Sequence, residues 1–144
     1  AETEKTQKYL LRLMLVDDQQ RRRVREEGTE GLFLDDLSRG LAEYLLGREG
    51  DDGRLPEELF DASLDEDQQS LLASLKFQED LGWADNPELI LSDCRRAVSN
   101  YLLKQRLKEV GQLEEDAQSN NDEAALERYQ RERMEINQKL KKKL

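Results

Sequence analysis

A chain of 144 residues has room for one domain, or for one compact bundle with an appendage. Its single cysteine, Cys94, and its lack of histidine exclude an internal disulfide, zinc sites built from Cys and His, and the Ser–His and Cys–His forms of nucleophilic catalysis. The chain is 39% charged and 36% hydrophobic, against about 25% charged in an ordinary globular domain, so a small core carries much solvated surface.

Leucine dominates the apolar residues, aromatics make up 6%, and valine and isoleucine are scarce, which favours helix over strand. The net charge of −10 is unevenly spread. Residues 1–85 hold 11 Lys and Arg against 22 Asp and Glu, whereas residues 86–144 hold 12 against 11. An acidic body argues against direct binding of nucleic acid, which is driven by neutralising phosphates, and reads as a solvated surface. No apolar run approaches the roughly 18 residues of a membrane span, and no signal peptide is visible. A reducing, cytoplasmic setting is expected, with Cys94 acting as a small apolar residue on a buried helix face. The chain begins inside a helical pattern, as an excised domain would.

The first predicted helix, Thr3 to Val16, places Thr6, Tyr9, Leu10, Leu13, Met14 and Val16 on one stripe. Asp17-Asp18 supplies an N-cap for a second helix, which carries the basic run Arg21-Arg22-Arg23 and Arg25 around Val24 and ends at Gly28 and Gly31. With Glu26 and Glu27 beside it, that run reads as a solvated helix face rather than a nucleic-acid patch. Asp35-Asp36 caps a third helix, with Leu37, Leu41, Tyr44 and Leu45 at helical spacing and Gly47 closing it. The stretch 47–54, Gly-Arg-Glu-Gly-Asp-Asp-Gly-Arg, has no apolar anchor and is expected to be a mobile loop.

Pro56 leads a short helical element containing Leu59 and Phe60. Asp65 caps a further helix with Leu71, Leu72 and Leu75, ending near Gly82, and Trp83 is expected to pin the junction to the core. Asn86-Pro87 is an N-cap followed by proline at the first helical position. Apart from Gly111, no breaker follows before Ser119-Asn120-Asn121, so a helix of roughly 30 residues, about 45 Å long, is predicted. Asp122 caps the last helix, and Glu123 adds negative charge to its first turn.

The two final helices carry matching apolar seams. Leu103, Leu107, Val110, Leu113 and Ala117 step by three and four on one; Leu126, Tyr129, Ile136 and Leu140 do so on the other, with Arg133 interrupting. An antiparallel helical hairpin is the natural product. The predicted fold is therefore all-α: a compact helical bundle over residues 1–85, then a long connecting helix and a C-terminal antiparallel helical hairpin over residues 86–144. Two helices bury little apolar area by themselves, and such hairpins commonly dock on a partner.

Catalytic patterns are wanting. The segment 27–31, Glu-Gly-Thr-Glu-Gly, lacks the Lys-Ser/Thr ending of a phosphate loop and has Gly31 where an acidic metal motif needs Asp. The pairs Asp17-Asp18, Asp35-Asp36 and Asp51-Asp52 offer oxygen ligands for Mg²⁺, yet two stand at helix starts and the third in a loop, where capping and solvation account for them. Neither an enzyme nor a cofactor is expected.

Residues 75–110, with the pattern Asp-Cys-Arg-Arg-Ala at 93–97 running into Leu103-Lys104, Leu107 and Glu109, resemble the long helix in the C-terminal domain of bacterial DNA primase. The following helix, 125–144, is similar to primase tails, and the segments ending at Leu15, at Gly28 and at Leu46 look like the bundle that precedes them. The order of elements and the ending Ile-Asn-Gln-Lys-Leu-Lys-Lys-Lys carry the likeness, which spans essentially the whole chain. It implies a non-catalytic adaptor that docks primase on the N-terminal collar of the hexameric, DnaB-type replicative helicase, couples primer synthesis to unwinding and stimulates the helicase.

The resemblance also implies that the hairpin supplies the docking surface, and that Asn137, Gln138, Leu140, Lys142 and Lys143 carry the family's ending. Ile136, Met134 and Tyr129 join them as large side chains of the kind that anchor interfaces, although the hairpin seam claims Tyr129 and Ile136 equally well. The lysines also complement a helix C-terminus. A monomer is expected in the absence of the helicase. Two other readings stay open: the collar domain of the helicase itself, similar in architecture but self-associating, and an independent coiled-coil scaffold.

Overall fold

The computed structural model describes residues 2–59, 63–76 and 86–142. Among them are six helices and no strand: α1 (Glu2–Val16), α2 (Asp18–Glu27), α3 (Asp36–Gly47), α4 (Glu66–Lys76), α5 (Pro87–Ser119) and α6 (Glu123–Lys142). The protein is all-α, as its composition predicts. The expectations for Phe60, Gly82, Trp83 and Lys143 lie outside the described residues.

The helix starts follow from local chemistry. Each of α2 to α6 is preceded by a short acidic or amide side chain whose oxygen accepts the backbone N–H three residues on: Asp17 from Gln20 at 2.9 Å, Asp35 from Ser38 at 2.7 Å, Asp65 from Gln68 at 2.8 Å, Asn86 from Leu89 at 3.2 Å and Asp122 from Ala125 at 3.1 Å. Each satisfies an N–H that has no partner within its own helix. At α4 the cap is reciprocal, because Gln68 Oε1 accepts from the Asp65 N–H at 3.1 Å. Asp52 uses its carboxylate differently, accepting the Arg54 N–H at 3.1 Å in a turn. The acidic pairs thus serve caps and turns. Gly28, at φ 89°, ends α2 and donates its N–H to Val24 O at 2.8 Å.

By contact the chain divides into two compact units, Ala1–Val98 and Ser99–Leu144. The first unit is built around α1, which packs against α2, α3 and α4. Leu10, Leu11, Leu13 and Met14 are buried in succession, so the second half of α1 presents a broad buried face, while Glu4, Lys5 and Lys8 stay exposed on the other side. Val24, Phe33, Leu41, Leu45, Leu72 and Leu75 complete the core around it. Val16 and Leu37, predicted to lie inward, are exposed, one at the last residue of α1 and the other in the first turn of α3. Gln7 is buried and pins the chain before α3 through both ends of its amide: Nε2 donates to Leu32 O and Oε1 accepts the Leu34 N–H, each at 2.8 Å.

Three further expectations change. The unit extends past residue 85, because Leu91, Cys94 and Val98 of α5 belong to its core. Residues 55–59 form no helix; Leu59 is buried without one, and its carbonyl accepts from the Tyr44 hydroxyl at 3.3 Å. A few residues seldom repay the cost of starting a helix. The third change concerns Arg21, expected on a solvated face but fully buried.

The Arg21 guanidinium donates to Glu49 Oε1 at 2.5 Å, Asp18 Oδ1 at 2.5 Å, Met14 O at 2.7 Å and Gly53 O at 2.8 Å. Glu49 also accepts from Arg25 at 2.8 Å. The loop 47–54 is therefore anchored, not by an apolar side chain but by a buried cation that takes two of its oxygens, Glu49 Oε1 and Gly53 O. A Gly50–Arg54 backbone bond of 2.9 Å closes it.

Candidate docking face on the C-terminal hairpin

The second unit takes α5 from Ser99 onward, the turn at Ser119–Asp122, and α6. The helix runs through Gly111 without interruption. Asn121 carries the chain round at φ 55°, a left-handed conformation that asparagine tolerates better than most residues. The Asp122 N–H closes back on Ala117 O at 2.9 Å.

The predicted seam is where the hairpin buries its apolar surface. Val110 and Ala117 of α5 and Ala125 and Ile136 of α6 are buried; Leu103, Leu107, Leu113, Leu126, Tyr129 and Leu140 are half-buried beside them. Ion pairs line this apolar strip and set the antiparallel register. Arg106 forms a two-pronged pair with Glu132, Nε to Oε2 at 2.6 Å and Nη2 to Oε1 at 3.0 Å, and reaches Glu109 at 3.0 Å. Arg133 donates to Glu114 at 2.7 Å, which explains why a cation interrupts the seam of α6. Hydrogen bonding from Arg106 holds the Glu132 carboxyl below the usual range, and Glu132 and Glu109 in turn raise the pKa of Arg106. Sequence reasoning missed this pair; the signal was an arginine and a glutamate on the two sides of the polar turn, each beside its helix's apolar seam.

The candidate partner residues divide between two faces. Ile136, only 4% exposed, and the half-buried Tyr129 and Leu140 belong to the seam, so their large side chains are taken up by the hairpin itself. The Arg128 guanidinium also lies over the Tyr129 ring, 5.4 Å from its centre. Met134, Asn137, Gln138 and Lys142 are exposed on the other side of α6, with Lys141. Met134, at 63%, is the most exposed large apolar side chain among the described residues.

Cys94 lies in the first unit, where burial, followed by the charge of Asp93, pushes its thiol up to about 11. Such a thiol is not a nucleophile at neutral pH. Among the described residues no group of three or more Cys, Asp and Glu is placed to hold a metal ion, and no helix is long and apolar enough to cross a membrane. Compared with protein-family models, curated proteins and solved structures, the chain matches none.

Proposed function

We propose that this chain is the helicase-docking module of a bacterial DNA primase, which recruits primase to the collar of the hexameric replicative helicase and couples primer synthesis to unwinding. It would contribute no catalytic group of its own and act as a monomer until it meets the helicase. The observation behind this reading is the division of labour on α6. One side closes the hairpin through Ala125 and Ile136. The other leaves Met134, Asn137, Gln138 and Lys142 exposed, in the segment whose ending resembles primase tails.

A helix that needs only one face for its own fold has the second available for recognition. An exposed methionine is suited to that role, being flexible and polarisable, and able to fill irregular recesses. The neighbouring amides donate and accept hydrogen bonds, and the lysines speed encounter with an acidic surface more than they add affinity. Mixing the chain with a purified cognate helicase hexamer should give co-elution on a sizing column and calorimetric binding at micromolar or tighter affinity. Absence of both heat and co-elution would overturn the proposal.

A further inference from the structure

Charge along the hairpin is sorted by position. Residues 109–127 carry seven carboxylates and no Lys or Arg, whereas residues 128–143 carry seven cations against Glu132 and Glu135. Several of these charges are engaged within the hairpin, among them Arg106 with Glu132 and Arg133 with Glu114. Those on the exposed side of α6 are left to face outward. There, Glu127, Met134 and Lys141 recur every seven residues, which at 3.6 residues per turn brings them almost into one line. Gln130, Asn137 and Gln138 place uncharged polar groups within about a turn of Met134, and the one cation there, Arg131, is held by Glu127. Glu127, paired with Arg131 at 3.3 Å, marks the acidic end, and Lys141 and Lys142 the basic end.

From this order we infer that the outward face of α6 recognises a partner surface with the reverse order of charge: basic opposite Glu127, apolar opposite Met134 and acidic opposite Lys141 and Lys142. The inference rests on the helicase-docking function proposed above and adds to it the direction in which the helix lies on its partner. Glu127 and Lys141 are about 21 Å apart along the helix, well beyond the screening length of about 8 Å at physiological salt. A partner therefore meets two separate charged ends rather than one averaged charge. Turning the helix end for end would set like charges against each other at both ends, so the order of charge selects one docking direction. An apolar anchor with uncharged amides and the paired Arg131 about it, and exposed lysines beyond, has the layout of a protein interface, in which an apolar anchor is ringed by polar groups.

The test is calorimetric titration of a cognate replicative helicase hexamer with the full chain and three variants, Met134→Asp, Lys141→Glu with Lys142→Glu, and Glu127→Lys. All four substituted side chains are exposed, so unchanged helical circular dichroism is expected throughout. Binding should weaken about tenfold or more for Met134→Asp and severalfold for each charge reversal. Glu127→Lys is the decisive variant. Simple attraction of a basic tail to an acidic partner makes it bind more tightly, and that result would overturn the inferred order of charge. Wild-type affinity in all three variants would place docking on another face while leaving the helicase function standing. No binding by the unsubstituted chain would overturn both.

Discussion

Arg21 has no exposed side-chain surface, and a buried guanidinium persists only where each of its donors finds an oxygen. Here the oxygens come from α1, α2 and the loop after α3, so one side chain ties three segments together. Removing it would strand Glu49, whose carboxylate is largely buried, with only the half-exposed Arg25 as a partner. Arg21→Met should destabilise the first unit by about 3 kcal/mol, the lower end of the cost of breaking a buried pair. The loop 47–54 should also become a site of early proteolysis. Chemical denaturation and limited digestion check the two effects, and an unchanged midpoint would show that Arg21 contributes little. Gln7 performs a similar task without charge, since its amide replaces two backbone partners for Leu32 and Leu34.

At the scale of elements, α5 is one helix with two apolar series. Leu91, Cys94 and Val98 step by three and four, Val110 and Ala117 by seven. The twelve residues from Val98 to Val110 make about three and a third turns, so the second series lies roughly a third of a turn round the helix from the first. No single stripe runs its length, which is why the helix as a whole has no amphipathic signature. The hairpin it forms with α6 should respond to acid through Glu132. A carboxyl whose folded pKa is lowered contributes stability that is fully present above its unfolded pKa. That stability is lost as pH falls through the folded value. Protection of α6 amides, measured against the unstructured exchange rate at each pH, should therefore fall on acidification below about pH 4. Glu132→Gln should start from faster exchange at neutral pH and show a shallower acid response; parallel profiles for the two chains would discount the pair. Both side chains are partly exposed, so added salt should reduce the difference.

The whole molecule separates an acidic body from a near-neutral hairpin. The core of the first unit is complete at Val98 and uses no residue of α6. Deleting residues 136–144 should therefore leave that core folded, with its cooperative thermal transition retained. It removes Ile136 from the seam and Asn137, Gln138, Lys141 and Lys142 from the outward face, so helicase binding should be lost. Near-ultraviolet circular dichroism and co-elution check the two halves of the prediction. Binding by the truncated chain at full strength would remove the tail from the docking surface.

The helices and their starts were legible in the sequence because capping is a local event. An Asp or Asn accepts an N–H three residues ahead, and that distance is set before any tertiary contact forms. The hairpin was legible for a related reason: two apolar repeats on either side of a polar turn have little alternative but to face each other. Arg21 and Gln7 were not legible, since their partners lie up to 32 residues away and nothing in the adjoining sequence distinguishes Arg21 from Arg22 or Arg23. The same holds for the candidate site. Sequence put Tyr129, Ile136 and Leu140 on the seam and Met134 beside it, yet left Tyr129 and Ile136 open as partner anchors. Only the tertiary structure, by burying Ile136 against α5 and leaving Met134 exposed, decided which face holds the hairpin together and which is left for a partner.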